Sequence, residues 1–93
     1  MTEFEWDSDK NALNWLKHKI RFEKPIKIFA NENEFETYFN STVNGEDRWE
    51  TVGILANAVI IVIHTIEENG KEVFRIISAR KLKPHERRKY GYR

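Results

Sequence analysis

The chain contains no cysteine. Disulfides and thiolate metal sites are therefore excluded, which fits a reducing compartment; the expected location is cytoplasmic. Only four glycines and two prolines are present, and the glycines are scattered, so no Gly-rich phosphate loop exists. The three histidines, His18, His64 and His85, show no HExxH or comparable ligand spacing, and no GxSxG element is present. Neither a metal nor a cofactor is expected. The longest apolar run, Ala58 to Ile63, is far too short to span a bilayer. The opening "MTEFEWDSDK" is acidic and lacks an apolar core, so it does not read as a secretory signal and no membrane role is expected.

What remains is a chain of 93 residues, read as one domain over 1–93. A chain this short buries only roughly 60–65% of its unfolded surface, so its stability margin is thin. Hydrophobic residues make up 40% and aromatics 13%, enough to build a core. Net charge is only +1, but it is unevenly spread. Residues 75–93 carry eight Lys/Arg against one acid, whereas residues 1–74 carry eight against fourteen. A basic C-terminal segment on an acidic body points to a polyanion or an acidic protein partner, or to a merely solvated helix.

Periodicity predicts the elements. "TEFEWD" alternates, with Phe4 and Trp6 on one side, and reads as a short strand. Asp7 or Asp9 then caps a helix to about Lys19. At about 100° per residue, Ala12, Leu13, Leu16 and Ile20 share the arc expected to be buried. Lys10, Asn14, Lys17 and Arg21 share the opposite arc, with His18 on its shoulder. "FEKPIKIFAN" reads as a short helix starting near Pro25, or as an extended segment. "EFETYFN" alternates as an edge strand, and "STVNGED" reads as a turn or loop. "DRWETVGIL", "AVIIVIHTI" and "KEVFRIISARK" are three strands, the middle one apolar on both faces and therefore central. Asn69-Gly70 is the expected hairpin turn, "LANA" a weaker one, and "KPHERRKY" a short helix from Pro84.

A two-residue loop at Asn69-Gly70 would place His64 opposite Arg75 and Val59 opposite Arg80. Arg75 and Arg80 would then point to opposite faces unless a bulge near Ser78 intervenes. A neutral imidazole beside a fixed cation suits proton transfer at a phosphate. The alternative is that His64 is a satisfied core histidine and that Arg75 pairs with Glu50 or Glu67. Any chemistry must come from His, Lys, Arg and Tyr. That set suits metal-free phosphodiester cleavage, in which a base takes the ribose 2′-hydroxyl proton, a cation stabilises the phosphorane and an acid protonates the leaving oxygen.

Three segments resemble one family. "FEWDSDKNALNWLKHKIRFE" (4–23) is similar to the FEWDxxKxxxNxxKHxxxFE opening of BrnT-type toxins. "DRWETVG" (47–53) resembles that family's ERWxxIG segment. "VIHTIEENGKEVFRIISARKLKPHERRKY" (62–90) resembles its VVHTxR…RIISARKAxxxERxxY ending. The resemblance runs along most of the chain in order, and only about 26–46 departs from the usual pattern.

The resemblance implies an α+β, RelE-like fold: a small antiparallel β-sheet with two N-terminal helices and a short C-terminal helix. It implies a type II toxin acting as an endoribonuclease on RNA and inhibiting translation. The implied partner is a BrnA-type antitoxin, through which alone operator DNA would be bound. Residue by residue, Lys17 and His18 match the family's KH pair, His64 its HT, Arg75 and Arg80 the arginines of RIISAR, and Glu86, Arg87 and Tyr90 its ER…Y. The expected catalytic set is therefore Lys17, His18, His64, Arg75 and Arg80. Arg48, Trp49, Lys81, Arg87 and Tyr90 are the expected RNA contacts. Each has a structural alternative: an ion pair of Arg80 with Glu86, a solvated face for Lys17, a carbonyl contact for His18, core packing for Trp49 and Tyr90. One departure stands out: many relatives carry Arg where this chain has Glu67. The rival reading is a non-catalytic binding module that uses only the basic tail.

Overall fold

The computed structural model describes residues 2–92; Arg93, counted above in the basic tail, lies outside them. The elements are β1 (Thr2–Glu5), α1 (Ser8–His18), a 3-10 helix (Pro25–Ala30), β2 (Phe35–Val43), β3 (Glu46–Leu55), β4 (Ala58–His64), β5 (Glu67–Glu68), β6 (Glu72–Lys81) and α2 (Pro84–Arg87). The strands run in the order β1-β6-β4-β3-β2, with β5 also on β6. β4 is central, as its apolar run predicts. The expectation of a wholly antiparallel sheet is corrected: β1 runs parallel to β6, so the sheet is mixed. The second N-terminal helix is a six-residue 3-10 segment led by Pro25.

Both faces of the sheet are covered. On the first face, Phe22, Ile28, Ile60, Val62, Ile76 and Ala79 form the main cluster, edged by Phe4, Trp6, Phe29 and Phe74. On the second, Val52, Val59, Ile61 and Leu82 are covered by Tyr90 and Tyr92 of the C-terminal segment. The fully buried aliphatics each stabilise the fold by about 1.5–3 kcal/mol. Gly53 lets the 3-10 helix sit against β3, since a Cβ there would lie 3.1 Å from that of Ile28.

Helix α1 is turned the other way from its predicted face. Asp7 caps it, its carboxylate accepting from the N–H groups of Asp9 and Lys10 at 2.8 and 3.2 Å. The buried residues are Asn11 and Asn14, while Leu13 and Leu16 are 55% and 66% exposed. The reason lies at the sheet edge. β1 pairs β6 only along Glu72–Arg75, which leaves the distal half of β6 with an open edge. Asn14 closes it: its Nδ2 donates to Ala79 O at 2.8 Å, and its Oδ1 accepts from Ala79 N–H at 3.1 Å. Asn11 Oδ1 accepts from Phe22 N–H at 2.9 Å. Unsatisfied buried backbone costs more than two exposed leucines, so the amides win the inner face.

The hairpins also differ from prediction. Asn44-Gly45, inside the segment read as a turn or loop, is a tight two-residue turn: Val43 faces Glu46 and the two turn residues have φ of 52° and 76°. β2 accordingly extends through "STV". Leu55 faces Ala58 across a second two-residue turn. At Asn69-Gly70, Glu68 faces Glu72, so three residues bridge the strands. That one-residue difference overturns the predicted register. His64 faces Ile76 instead of Arg75, and Arg80 faces Ile61 instead of Val59. Between these pairs the register shifts, Ile63 facing Ser78, which leaves Ile77 as the extra residue of a bulge. Without the bulge, residues five apart would lie on opposite faces. With it, Arg75 and Arg80 share the second face.

Candidate active site

The residues named from sequence fall into two places. At one end of the sheet, α1 ends with Lys17 and His18 beside the end of β6, which carries Arg80. The His18 pKa is lowered from the ordinary 6.5, first by partial burial, then by the charges of Arg80, Lys17 and Lys83. An imidazole in this ring of cations is held neutral, with a free lone pair, at neutral pH. Arg80 is fixed by Glu86 in a two-pronged pair: Nη1 donates to Oε1 at 2.6 Å and Nη2 to Oε2 at 2.9 Å. Glu86 also accepts from the Lys83 N–H at 2.9 Å, tying the start of α2 to the same corner. These bonds hold the Glu86 carboxyl down at about 2. Guanidinium has five donors, so the pair leaves Arg80 with N–H groups to offer a phosphate. The ion pair expected for Arg80 with Glu86 is thus present.

Tyr90 lies beside this corner. Its hydroxyl donates to Glu50, its ring stands 5.5 Å from that of Tyr38, and burial with the Glu50 bond raises its pKa to about 12. Lys83 joins the cluster although it was not singled out from sequence; the signal was its place three residues before Glu86, across the turn from Arg80.

His64 lies elsewhere. It is fully buried on the first face, its ring stacked 4.7 Å from Phe74 and edge-on to Phe29 at 5.3 Å. Nδ1–H donates to the Thr65 carbonyl at 3.1 Å. Nε2 therefore accepts from the Thr51 hydroxyl at 2.7 Å, and Thr51 accepts in turn from Thr37 at 2.8 Å. Every polar atom of the ring is satisfied, and burial pushes its pKa down, the Thr65 bond only partly opposing this. The ring is enclosed in this structure, the arrangement that the core alternative describes.

Arg75 pairs with Glu46, not with Glu50 or Glu67. About 15 Å of strand separates it from Arg80, at roughly 3.3 Å per residue. Arg48 lies near by on the second face, with a buried Nε that has no partner among the described residues. Trp49 packs edge-on against Phe39 at 5.5 Å on the opposite face. Lys81 points to the first face, opposite Ile60, and Arg87 is exposed on α2. Glu67 is exposed on β5, opposite Val73 and seven residues of β6 away from Arg80. The structure thus brings together Lys17, His18 and Arg80, and keeps His64 and Arg75 apart from them. Among the described residues no cluster of metal-binding side chains is present.

The crystal structure of the Brucella abortus ribonuclease toxin BrnT, at 1.1 Å resolution, matches with a TM-score of 0.64 and 24% identity, over 89% of this chain and 99% of that one. At that identity the match speaks for the fold. No curated protein sequence matches the chain. The family model for the ribonuclease toxin BrnT of type II toxin–antitoxin systems matches residues 6–86. With that match across most of its length, the chain belongs to the BrnT family of ribonuclease toxins.

Proposed function

We propose that this BrnT-family chain is a metal-independent endoribonuclease whose catalytic centre is the corner of His18, Lys17 and Arg80. The observation that carries this reading is a neutral imidazole set among Lys17, Lys83 and the pre-positioned guanidinium of Arg80. Neutral His18 takes the proton of the ribose 2′-hydroxyl. The 2′-oxygen attacks the adjacent phosphorus, and Arg80 with Lys83 stabilises the doubly charged phosphorane. Lys17 donates a proton to the departing 5′-oxygen, leaving a 2′,3′-cyclic phosphate and a 5′-hydroxyl end. Glu86 is a positioning residue acting through Arg80. Arg48, Arg75 and Arg87 contact RNA outward from the scissile phosphate, and His64, Trp49 and Tyr90 hold the scaffold.

Cleavage of messenger RNA by this centre would inhibit translation. A BrnA-type antitoxin would neutralise the toxin by covering the cationic corner with acidic side chains, and would supply the operator contact. Purified protein incubated with RNA in EDTA tests the chemistry. The expected products carry 2′,3′-cyclic phosphate ends, and Arg80→Ala should abolish them. Intact RNA with the wild type, or 3′-hydroxyl ends, would refute this reading. Binding of RNA without cleavage would favour the non-catalytic module.

A further inference from the structure

A cavity of about 630 Å³ opens on the first face beside the end of α1, outside the corner of His18 and Arg80. We infer that it is a subsite for one nucleotide of single-stranded RNA, with the base stacked at Trp15 and the phosphates held by the cations around the rim. The inference rests on the ribonuclease reading for the identity of the polymer; the cavity itself is independent of it.

Its chemistry is one-sided. The rim carries Lys19, Arg21, Lys24, Lys27 and Lys81, and no carboxylate lines it. None of the five takes part in an ion pair among the described residues. Five unpaired like charges around one hollow repel one another, and a polyanion would relieve that repulsion. The floor is apolar, formed by Ile20, Leu55, Ala58 and Ile60. Trp15, 39% exposed, forms a wall, with the Arg21 guanidinium 5.0 Å and the Lys19 ammonium 5.8 Å from its ring centre. A flat aromatic surface with cations at its face is what an unstacked base with its phosphates requires. An acidic peptide would use the cations but has no need of the indole. The volume falls within the range of about 300–1,000 Å³ typical of small-ligand pockets.

The wall is also rigid. Asn14 Nδ2 donates to Ile20 O at 2.9 Å, and Asn11 holds Phe22 N–H, so the chain leaving α1 is fixed at both sides of Arg21. Lys19 sits in the left-handed region at φ 57°, a conformation for which glycine is the usual choice. Its side chain is thereby kept on the rim. The cavity also continues the catalytic corner. Lys81 directly follows Arg80 on β6 and points to the other face, and Lys19 directly follows His18. A strand seated in the cavity would pass round the end of β6 and meet His18 and Arg80 with its next phosphates.

The test is anisotropy binding of a labelled 2′-O-methyl oligoribonucleotide of about ten nucleotides, which cannot be cleaved by 2′-hydroxyl attack. Trp15→Ala should raise Kd about tenfold or more, and Trp15→Phe should recover most of the loss. Lys24→Glu with Lys27→Glu should also weaken binding and flatten its dependence on salt. Thermal melts check that each variant folds. Cleavage of the all-ribose oligonucleotide by the wild type is followed in parallel. If the wild type cleaves while folded variants bind like the wild type, the subsite is overturned and the nuclease reading stands. If the wild type binds through Trp15 without cleaving, the nuclease reading fails and the subsite stands. If the variants keep RNA affinity but lose that for an acidic protein partner, the cavity is a protein site and the proposal is overturned.

Discussion

His18 ends helix α1 and His64 ends strand β4, and both imidazoles have pKa values pushed below that of a free histidine. Burial is the largest cause for both, and neighbouring cations add to it only at His18. His64 is enclosed by Phe29 and Phe74 and hydrogen-bonded at both nitrogens, one to a backbone carbonyl that passes no proton onward. His18 is only half-buried and is ringed by cations. A depressed pKa alone therefore does not mark a catalytic base; accessibility and an unsatisfied nitrogen do.

The contrast can be broken by mutation. The largest effect is expected for Arg80→Ala, which should lower RNA cleavage by about 10²–10³-fold while the fold remains, as measured by initial rates and a thermal melt. Next, His64→Ala should cost about 3 kcal/mol, because it opens a core cavity and strands the Thr51 hydroxyl; urea unfolding reads this directly. An inactive but fully stable His64→Ala protein would reverse the roles argued for the two histidines.

A smaller effect separates the two faces of α1. Asn14→Ala should cost about 2 kcal/mol by leaving the Ala79 backbone unpaired, whereas Leu16→Lys should change stability by less than about 0.5 kcal/mol. Equal losses for the two would contradict the orientation of the helix.

The smallest effect is in pH. The folded pKa of His64 lies below the unfolded 6.5, so the unfolded chain binds the proton more readily. The stability this group contributes is present above pH 6.5 and is lost as pH falls below it toward the folded value. Glu86, held at about 2 against an ordinary 4.5, adds a separate loss as pH falls from about 4.5 through about 2. Urea midpoints across pH should therefore fall in two stages, and Glu86→Gln should remove the lower one only.

Much of this was legible in the residues. The central strand announced itself by an apolar run with no polar face. Asp7 and Pro84 marked the starts of the helices. What misled was the assumption that apolar side chains take the inner face of a helix. Asn11 and Asn14 overrode it because an open strand edge demands hydrogen bonds, and that edge exists only in the tertiary fold. The register failed for a comparable reason. Asn-Gly occurs twice, at 44–45 and 69–70, and a dipeptide does not state whether its loop has two or three residues. One residue of difference moved every side chain of β6, and the bulge at Ile77 then restored Arg75 and Arg80 to one face. The sequence makes a bulge near Ser78 the condition for this, and Ile77 meets it. In the candidate site, the KH pair and the second arginine stand at one corner, while His64 and Arg75 of the expected set lie apart from it. The cationic cavity lies away from the basic tail, where the positive charge of the sequence is most concentrated. The signal was there: residues 17–27 hold five Lys/Arg and one acid, Glu23.

The most direct test of the central claim is the single-turnover rate of RNA cleavage by His18→Ala in EDTA, with its melting temperature measured beside it. A loss of about 10²–10⁴-fold in a protein that melts like the wild type is the expected result. A folded His18→Ala protein cleaving within about twofold of the wild type, well short of a general base's contribution, would contradict it.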